Sequence, residues 1–306
     1  MAATAFAHIS DPHLPLPPGL PRPLSRLAGK RLLGFLSWRS GRHRRHLPAV
    51  LSALCADIAT HAPDHLLVTG DLVNIALPAE FEAARHWLEG IGDPADVTVI
   101  PGNHDASVTL PWRDGLGRWE PWMTSDDHRD PATDDRFPVV RRRGAVGFVN
   151  LSSAVPTAPL LASGRLGRAQ IERAAEALAA LRRDGLFRVV AVHHPPAAGV
   201  VGARKGLDDH RDFAAMLAAA GAELVVHGHC HHAHFTWLPG PRGPVPVVGV
   251  PSASSPRSAR GRHARWHLYR VAPVDGGWRL TLTVRGIAAE GGCSTEGGWS
   301  LQLPAA

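Results

Sequence analysis

The chain has 306 residues, of which 44% are hydrophobic and 20% charged. Those proportions exclude wholesale disorder, and no apolar run reaches the roughly 18 residues of a membrane-spanning helix. The formal charge of +6 rests almost entirely on arginine, since Lys30 and Lys205 are the only lysines. In a sequence this rich in alanine, glycine and proline, such basicity is as much compositional bias as a nucleic-acid signal. Cys55, Cys230 and Cys293 are far apart and odd in number, which excludes a disulfide framework and a thiolate metal knot. The first ten residues lack the basic and apolar regions of a secretory signal, so a cytoplasmic placement is expected. The 19 histidines are more informative, because imidazole is the commonest metal ligand and several fall in tight groups.

In chain order, residues 5–9 read as a short buried strand running into Ser10-Asp11-Pro12-His13. No acidic residue occurs from Pro12 to Ala56. Within that stretch a basic amphipathic helix is predicted over 24–38, followed by Arg39, Arg42, Arg44 and Arg45. Leu47, Val50, Leu51, Leu54 and Ile58 then mark one apolar helical face. A strand at 65–69 ends at Gly70-Asp71, and a helix over 78–91 carries Phe81, Ala84 and Leu88 inward. A strand at 97–100 ends at Gly102-Asn103-His104-Asp105, and a long loop rich in Trp and Asp runs to about Arg136. Two antiparallel strands joined near Gly144 precede a helix over 168–183. The strand at 187–192 opens into His193-His194-Pro195, and after a helix at 209–219 the strand at 223–226 leads to His227-Gly228-His229-Cys230-His231. A hairpin over 264–285 turns at Asp275-Gly276-Gly277. With no internal repeat and no dividing linker, the expectation is one domain over 1–306, with an insert at about 14–46.

Strand, polar cluster, helix and strand again is an α/β pattern, and such sheets place their chemistry at the strand ends. Five clusters each follow a buried strand, so they could converge on one rim. In an extended segment residues i and i+2 project to the same side, which would let Asp11 and His13 share an ion, as would His229 and His231. Carboxylate, imidazole and amide oxygen suit borderline divalent ions such as Mn²⁺, Fe²⁺, Zn²⁺ or Co²⁺. Singly, Asp71 or Asn103 reads equally as a turn residue. For His8, His194, His227, His232 and His234 an ordinary packed or solvated imidazole is the better reading, and for Trp112, Trp119 and Trp122 local packing.

In order and in strand-end context, Asp11-x-His13, Gly70-Asp71, Gly102-Asn103-His104-Asp105, His193 before His194-Pro195, and Gly228-His229-x-His231 resemble the calcineurin-like metallophosphoesterase superfamily. The resemblance implies a four-layer αββα sandwich holding two divalent ions, with hydroxide between them as the nucleophile. It assigns Asp11, His13 and His231 to the first ion, Asn103, His193 and His229 to the second, and Asp71 to both. His104 would face the substrate and protonate the leaving oxygen, and Asp105 would orient His104.

Asn74 stands where purple acid phosphatases carry their metal-bound tyrosine, and His104 where UDP-diacylglucosamine pyrophosphohydrolases carry arginine. What remains is similar to the bacterial class III cyclic-nucleotide phosphodiesterase group, including the segment from Ser163 to Gln170, although Leu151-Ser152-Ser153 departs from that group's Leu-Asp-Ser. The implied activity is hydrolysis of a small phosphodiester, a 3′,5′-cyclic nucleotide among them. The alternative is a membrane-surface phosphoesterase acting on a lipid-linked phosphate, since a basic amphipathic helix reads as lipid-contacting; the insert reads equally as a packed cap. The intact ligand set argues against a non-catalytic scaffold, and with no nucleic-acid-binding module visible a nuclease is weakly supported.

Overall fold

The structure, a computed structural model, describes residues 2–19, 24–127, 136–257 and 262–304. Its elements are β1 (Thr4–Ile9), α1 (Lys30–Ser40), α2 (Pro48–His61), β2 (His65–Val68), α3 (Pro78–Ile91), β3 (Val97–Val99), β4 (Val139–Arg143), β5 (Val146–Asn150) and α4 (Arg168–Arg183). These are followed by β6 (Phe187–Val192), α5 (His210–Ala220), β7 (Leu224–His227), β8 (His234–Leu238), β9 (Val245–Gly249), β10 (Arg265–Val274), β11 (Gly277–Ile287) and β12 (Cys293–Pro304). Two six-stranded sheets result, ordered β12-β11-β10-β1-β2-β3 and β4-β5-β6-β7-β9-β8.

The short apolar runs His65–Val68, Phe187–Val192 and Leu224–His227 are buried along their whole length, as parallel strands covered on both faces must be. β1, β2 and β3 pair in parallel in one sheet, and β5, β6, β7 and β9 in the other. Between the sheets lies a core in which Phe6 stacks on Tyr269 at 4.7 Å and meets Phe148 edge-on at 5.1 Å. On the outer face of the first sheet, Leu51, Leu54 and Ile58 of α2 and Phe81, Ala84 and Leu88 of α3 are buried. Ile171, Ala174, Leu178 and Leu181 of α4, with Phe213 and Leu217 of α5, cover the second. Helix, sheet, sheet, helix is the expected four-layer sandwich.

The loop after β3 contains 3₁₀ turns at Trp112–Asp114 and Leu116–Met123. Trp119 and Trp122 pack as expected, their indole N–H groups donating to the carbonyls of Phe81 and Gly92. The strand Cys293–Pro304 extends the hairpin of β10 and β11; its apolar residues are too diluted by Gly, Ser and Thr to announce a strand. No helix among the described residues is long and apolar enough to cross a membrane.

The insert departs from expectation. A single helix over 24–38 is broken at Gly29 (φ 65°) into a 3₁₀ turn, Leu24–Leu27, and α1. Only part of its apolar side packs. Gly34 lies against Ile75, Phe35 joins Leu27, Ile75 and Leu77, and Arg31 donates to the carbonyls of Ile75 and Ala76. Lys30 donates to the carbonyls of Thr157 and Leu161. Leu32, Leu33 and Leu36 are left 45–53% exposed. Carbonyls on two sides of the first turn of α1 thus bind its cations.

Candidate metal centre

Asp11 and His13 follow β1, Asp71 follows β2, Asn103 and His104 follow β3, His193 follows β6, and His229 and His231 follow β7. All of these strand ends meet at one rim. His13 Nε2 lies 3.3 Å from His231 Nε2, 3.8 Å from Asp71 Oδ2 and 4.0 Å from Asp11 Oδ1, and His231 Nε2 is 3.2 Å from Asp11 Oδ1. Beside this group, His193 Nε2 is 3.2 Å from both Asn103 Oδ1 and His229 Nδ1, and 3.5 Å from Asp71 Oδ2. Asp71 Oδ2 is thus within 4 Å of an imidazole on either side.

Backbone carbonyls set which ring atoms face inward. His193 Nδ1–H donates to the Thr69 carbonyl at 2.6 Å, and His13 Nδ1–H points to that of Val73 at 3.4 Å. Each therefore turns Nε2 toward the centre. Asp11 Oδ1 is buried and accepts no hydrogen bond. Lone pairs converging with few donors to meet them suit a cation, and this donor set of carboxylate, imidazole and amide oxygen suits borderline divalent ions.

The charges agree with that reading. Burial would lower His193, but Asp71 outweighs it and raises the imidazole to about 9. Burial would raise Asp71, yet His193 and His104 hold it well below the usual carboxylate range. Burial, reinforced by His193, pushes His229 down to about 3. Asp71 favours positive charge at the centre, while burial disfavours it on His229.

The expected extended geometry of the paired ligands does not occur. Asp11, His13, Asp71, His229 and His231 all have positive φ, between 41° and 66°. Each non-glycine residue in that region costs on the order of 1–2 kcal/mol. The chain turns back directly after each strand, so Asp11 N–H reaches the Gly70 carbonyl (2.9 Å), His13 N–H that of Asp71 (3.0 Å), and His229 N–H the Asp11 carboxylate (2.9 Å). Convergence comes from these folded-back turns, and the glycines beside them allow close approach. Gly70 combines φ 94° with a backbone neighbour, Gly102 N, 2.5 Å from where a Cβ would stand, and a Cβ on Gly228 would overlap Ser10 Oγ.

Asp105 does not orient His104. Its carboxylate accepts from the amides of Asp71 (2.8 Å), Gly102 (2.8 Å) and Val73 (3.0 Å), binding two strand-end loops together. Burial and the neighbouring Asp71 push it up to about 7. His104 is held instead by its Nδ1–H donating to the Asn74 carbonyl at 2.6 Å, while its amide donates to Asp71 Oδ1 at 2.7 Å. Its Nε2 faces Arg42 Nη2 at 3.0 Å. Burial, with Arg42 beside the ring, lowers His104 to about 4.

His8, His194 and His227 are packed as expected; His194 bonds Ser153 Oγ (2.7 Å) and the Ala162 carbonyl (3.2 Å), although its ring lies 4.6 Å from that of His229. Two insert residues reach the centre that sequence reasoning did not place there. His46 has its Nδ1 on Ser254 Oγ (2.8 Å) and its ring 4.3 Å from that of His13, close enough to join His13 and His231 around an ion. Arg42 lies against His104. Neither belongs to a spaced motif; their only sequence signal is position in an acid-free stretch.

The profile of the calcineurin-like phosphoesterase family matches residues 4–233. A Synechococcus protein named as a probable cyclic nucleotide phosphodiesterase is 29% identical over 236 residues, 76% of this chain and 80% of that one. Among solved structures, a dimetal phosphatase from Danio rerio superposes with TM-score 0.61 at 11% identity, covering 95% of this chain and 98% of the other. A purple acid phosphatase from yellow lupin gives 0.60 at 12% identity, covering 98% of this chain and 54% of the other. At such identities the structures share the fold.

Proposed function

This chain belongs to the calcineurin-like phosphoesterase family, and on that premise we propose that it hydrolyses a small phosphodiester, a 3′,5′-cyclic nucleotide being the first candidate. The observation that carries the reading is Asp71 Oδ2 standing between His13 and His193, one carboxylate within reach of two ligand groups. Asp11, His13 and His231 would hold one divalent ion, Asn103, His193 and His229 the second, with Asp71 shared. When bound, the ions supply Lewis acidity toward phosphoryl oxygens and lower the pKa of water.

The chain's own residues do the rest. Asp105 ties the loop after β2 to that after β3, keeping Asp71 and Asn103 in register. His104 commits Nδ1–H to Asn74, so Nε2, which Arg42 meets at 3.0 Å, is the ring atom that would face the leaving oxygen, and it would protonate that oxygen from the imidazolium form. The similarity to the Synechococcus protein supports a diester as substrate. The whole chain is taken as one catalytic unit that carries the 14–46 insert.

A second reading, hydrolysis of a lipid-linked phosphate at a membrane surface, is favoured by one observation: Leu32, Leu33 and Leu36 are exposed on the helix that leads into Arg39, Arg44 and Arg45. Apolar side chains among cations, in a stretch without an acid from Pro12 to Ala56, suit an anionic bilayer. The test of both is a Mn²⁺-supplemented panel of an aryl diester, an aryl monoester, cyclic nucleotides, a lipid diphosphate and single-stranded DNA. Diester turnover well above monoester turnover supports the first reading. Preference for the lipid diphosphate, increased by anionic vesicles, supports the second. No hydrolysis in any arm contradicts both.

A further inference from the structure

Arg42 sits just beyond α1, in the 3₁₀ turn Arg42–Arg44. Its Nη2 is 3.0 Å from His104 Nε2 and its Nη1 is 3.3 Å from Nδ1. Because Nδ1–H is spent on the Asn74 carbonyl, the Nη1 contact joins two donors and is no hydrogen bond. Only Nε2 of a neutral imidazole remains as an acceptor for a guanidinium that carries five N–H groups. Among the described residues no carboxylate comes within 4 Å of Arg42, and the insert has no acid to offer from Pro12 to Ala56.

The position is nevertheless built. Gly41 N–H and the His43 imidazole bond the Trp38 carbonyl, at 3.4 and 2.8 Å. Downstream, the His46 imidazole and the Leu47 amide are tied to Ser254, each at 2.8 Å. The turn carrying Arg42 is thus fastened at both ends while its guanidinium lies at the mouth of the centre, mostly removed from water. Arginine's planar fork matches oxyanions. A half-buried fork lacking one, next to the imidazole that faces the leaving group, is a place for the charge of an incoming ligand.

We propose that Arg42 is a substrate-binding residue: the insert contributes its guanidinium to grip an anionic phosphoryl oxygen of the substrate beside His104. The proposal rests on the phosphoesterase reading and makes the insert a working wall of the active site. The oxygen has two sources, the reacting phosphoryl group itself or a second phosphate on the leaving group.

The test uses metal-loaded full-length protein and inorganic phosphate as probe. Calorimetric phosphate affinity should fall on the order of 10- to 100-fold in Arg42→Gln, the range of lost hydrogen bonds to a charged group. Arg42→Lys should fall between Gln and wild type and guards against loss of fold. Metal content by elemental analysis should be unchanged in both. In kinetics, KM should rise more than kcat falls. If the reacting group is gripped, an aryl diester and a diphosphate diester lose equally; if a neighbouring phosphate is gripped, the diphosphate alone loses. Phosphate affinity and both KM values within about twofold of wild type in Arg42→Gln, or phosphate loss that merely follows metal loss, would overturn the proposal. Failure to hydrolyse any diester would remove the proposed function yet leave the phosphate calorimetry able to decide the role of Arg42.

Discussion

At the strand-end rim, the side chains that meet at the centre are fixed by buried partners: His193 by Thr69, His104 by Asn74, and the loops after β2 and β3 by Asp105. Across the same centre the insert is held differently. No residue of α1 is buried; Arg31 and Lys30 reach for backbone carbonyls, Phe35 leans on Leu27 and Leu77, and three leucines remain in the open. Both regions deliver side chains to one place. The rim does so with strained turns that only a rigid body can maintain, and the insert with a strap anchored at Ser254. Changes at the rim should therefore abolish chemistry or stability, whereas changes on the outer face of the insert should be nearly silent.

The largest effect should follow Asp71→Ala. Removing the carboxylate that both ligand groups share should strip metal from the protein and leave no measurable hydrolysis, by elemental analysis and an aryl-diester assay on the same sample. Full retention of metal would break the shared-ligand arrangement.

Gly228→Ala comes next. Its Cβ would press on Ser10 Oγ and stand 2.7 Å from Asp11 Oδ2, and overpacking of this kind costs about 1–3 kcal/mol. The melting temperature should drop and metal affinity weaken together. A melting curve identical to wild type would show that the strand ends are looser than described.

Away from both regions, Asp57 on α2 accepts from Arg285 (2.5 and 3.0 Å) and from the Trp266 indole (2.8 Å), tying the helix to β10 and β11. Burial opposes the charge, but these donors hold the carboxyl below its usual range. A depressed folded-state pKa stabilises above the unfolded value, about 3.9, and loses that contribution as pH falls through the folded one. Asp57→Asn should cost roughly 1–3 kcal/mol at pH 7, and urea melts should show the gap to wild type closing as the pH is lowered below about 4. A gap independent of pH would show that packing, not charge, is lost.

The smallest effect is expected at Leu36→Asp. The side chain is 53% exposed, so stability should stay within about 0.5 kcal/mol and aryl-diester turnover should be unchanged. Trp38→Asp should not be silent, because that ring packs on Phe35 and His43. Loss of anionic-vesicle binding in Leu36→Asp, with diester turnover intact, would sharpen the second reading; vesicle binding absent from wild type would remove it.

Much of the sandwich was legible because its buried strands are short apolar runs ending in polar clusters, a pattern with few alternatives. The strand ends announced which residues would gather, but not how. Positive φ at Asp11, His13, Asp71, His229 and His231 leaves no trace in periodicity, since strain is imposed by the loops around it. Asp105 was misread because a carboxylate next to His104 in sequence suggests a pair, whereas three amides from two loops compete for it more strongly. The insert was least legible. Helical projection ranks residues by one stripe, and here Gly29 breaks the helix while carbonyls at 75–76 and 157–161 bind the cations of its first turn. The basic cluster after the predicted helix is divided, with Arg42 turned inward to His104.

The central claim is that the five strand ends form one binuclear metal centre that performs the hydrolysis. The most direct measurement is elemental analysis of purified protein alongside aryl-diester turnover before and after chelation. The account predicts about two divalent transition-metal ions per chain, turnover abolished by chelator, and its return with Mn²⁺ or Co²⁺. Active protein without such ions, indifferent to chelator, would contradict it.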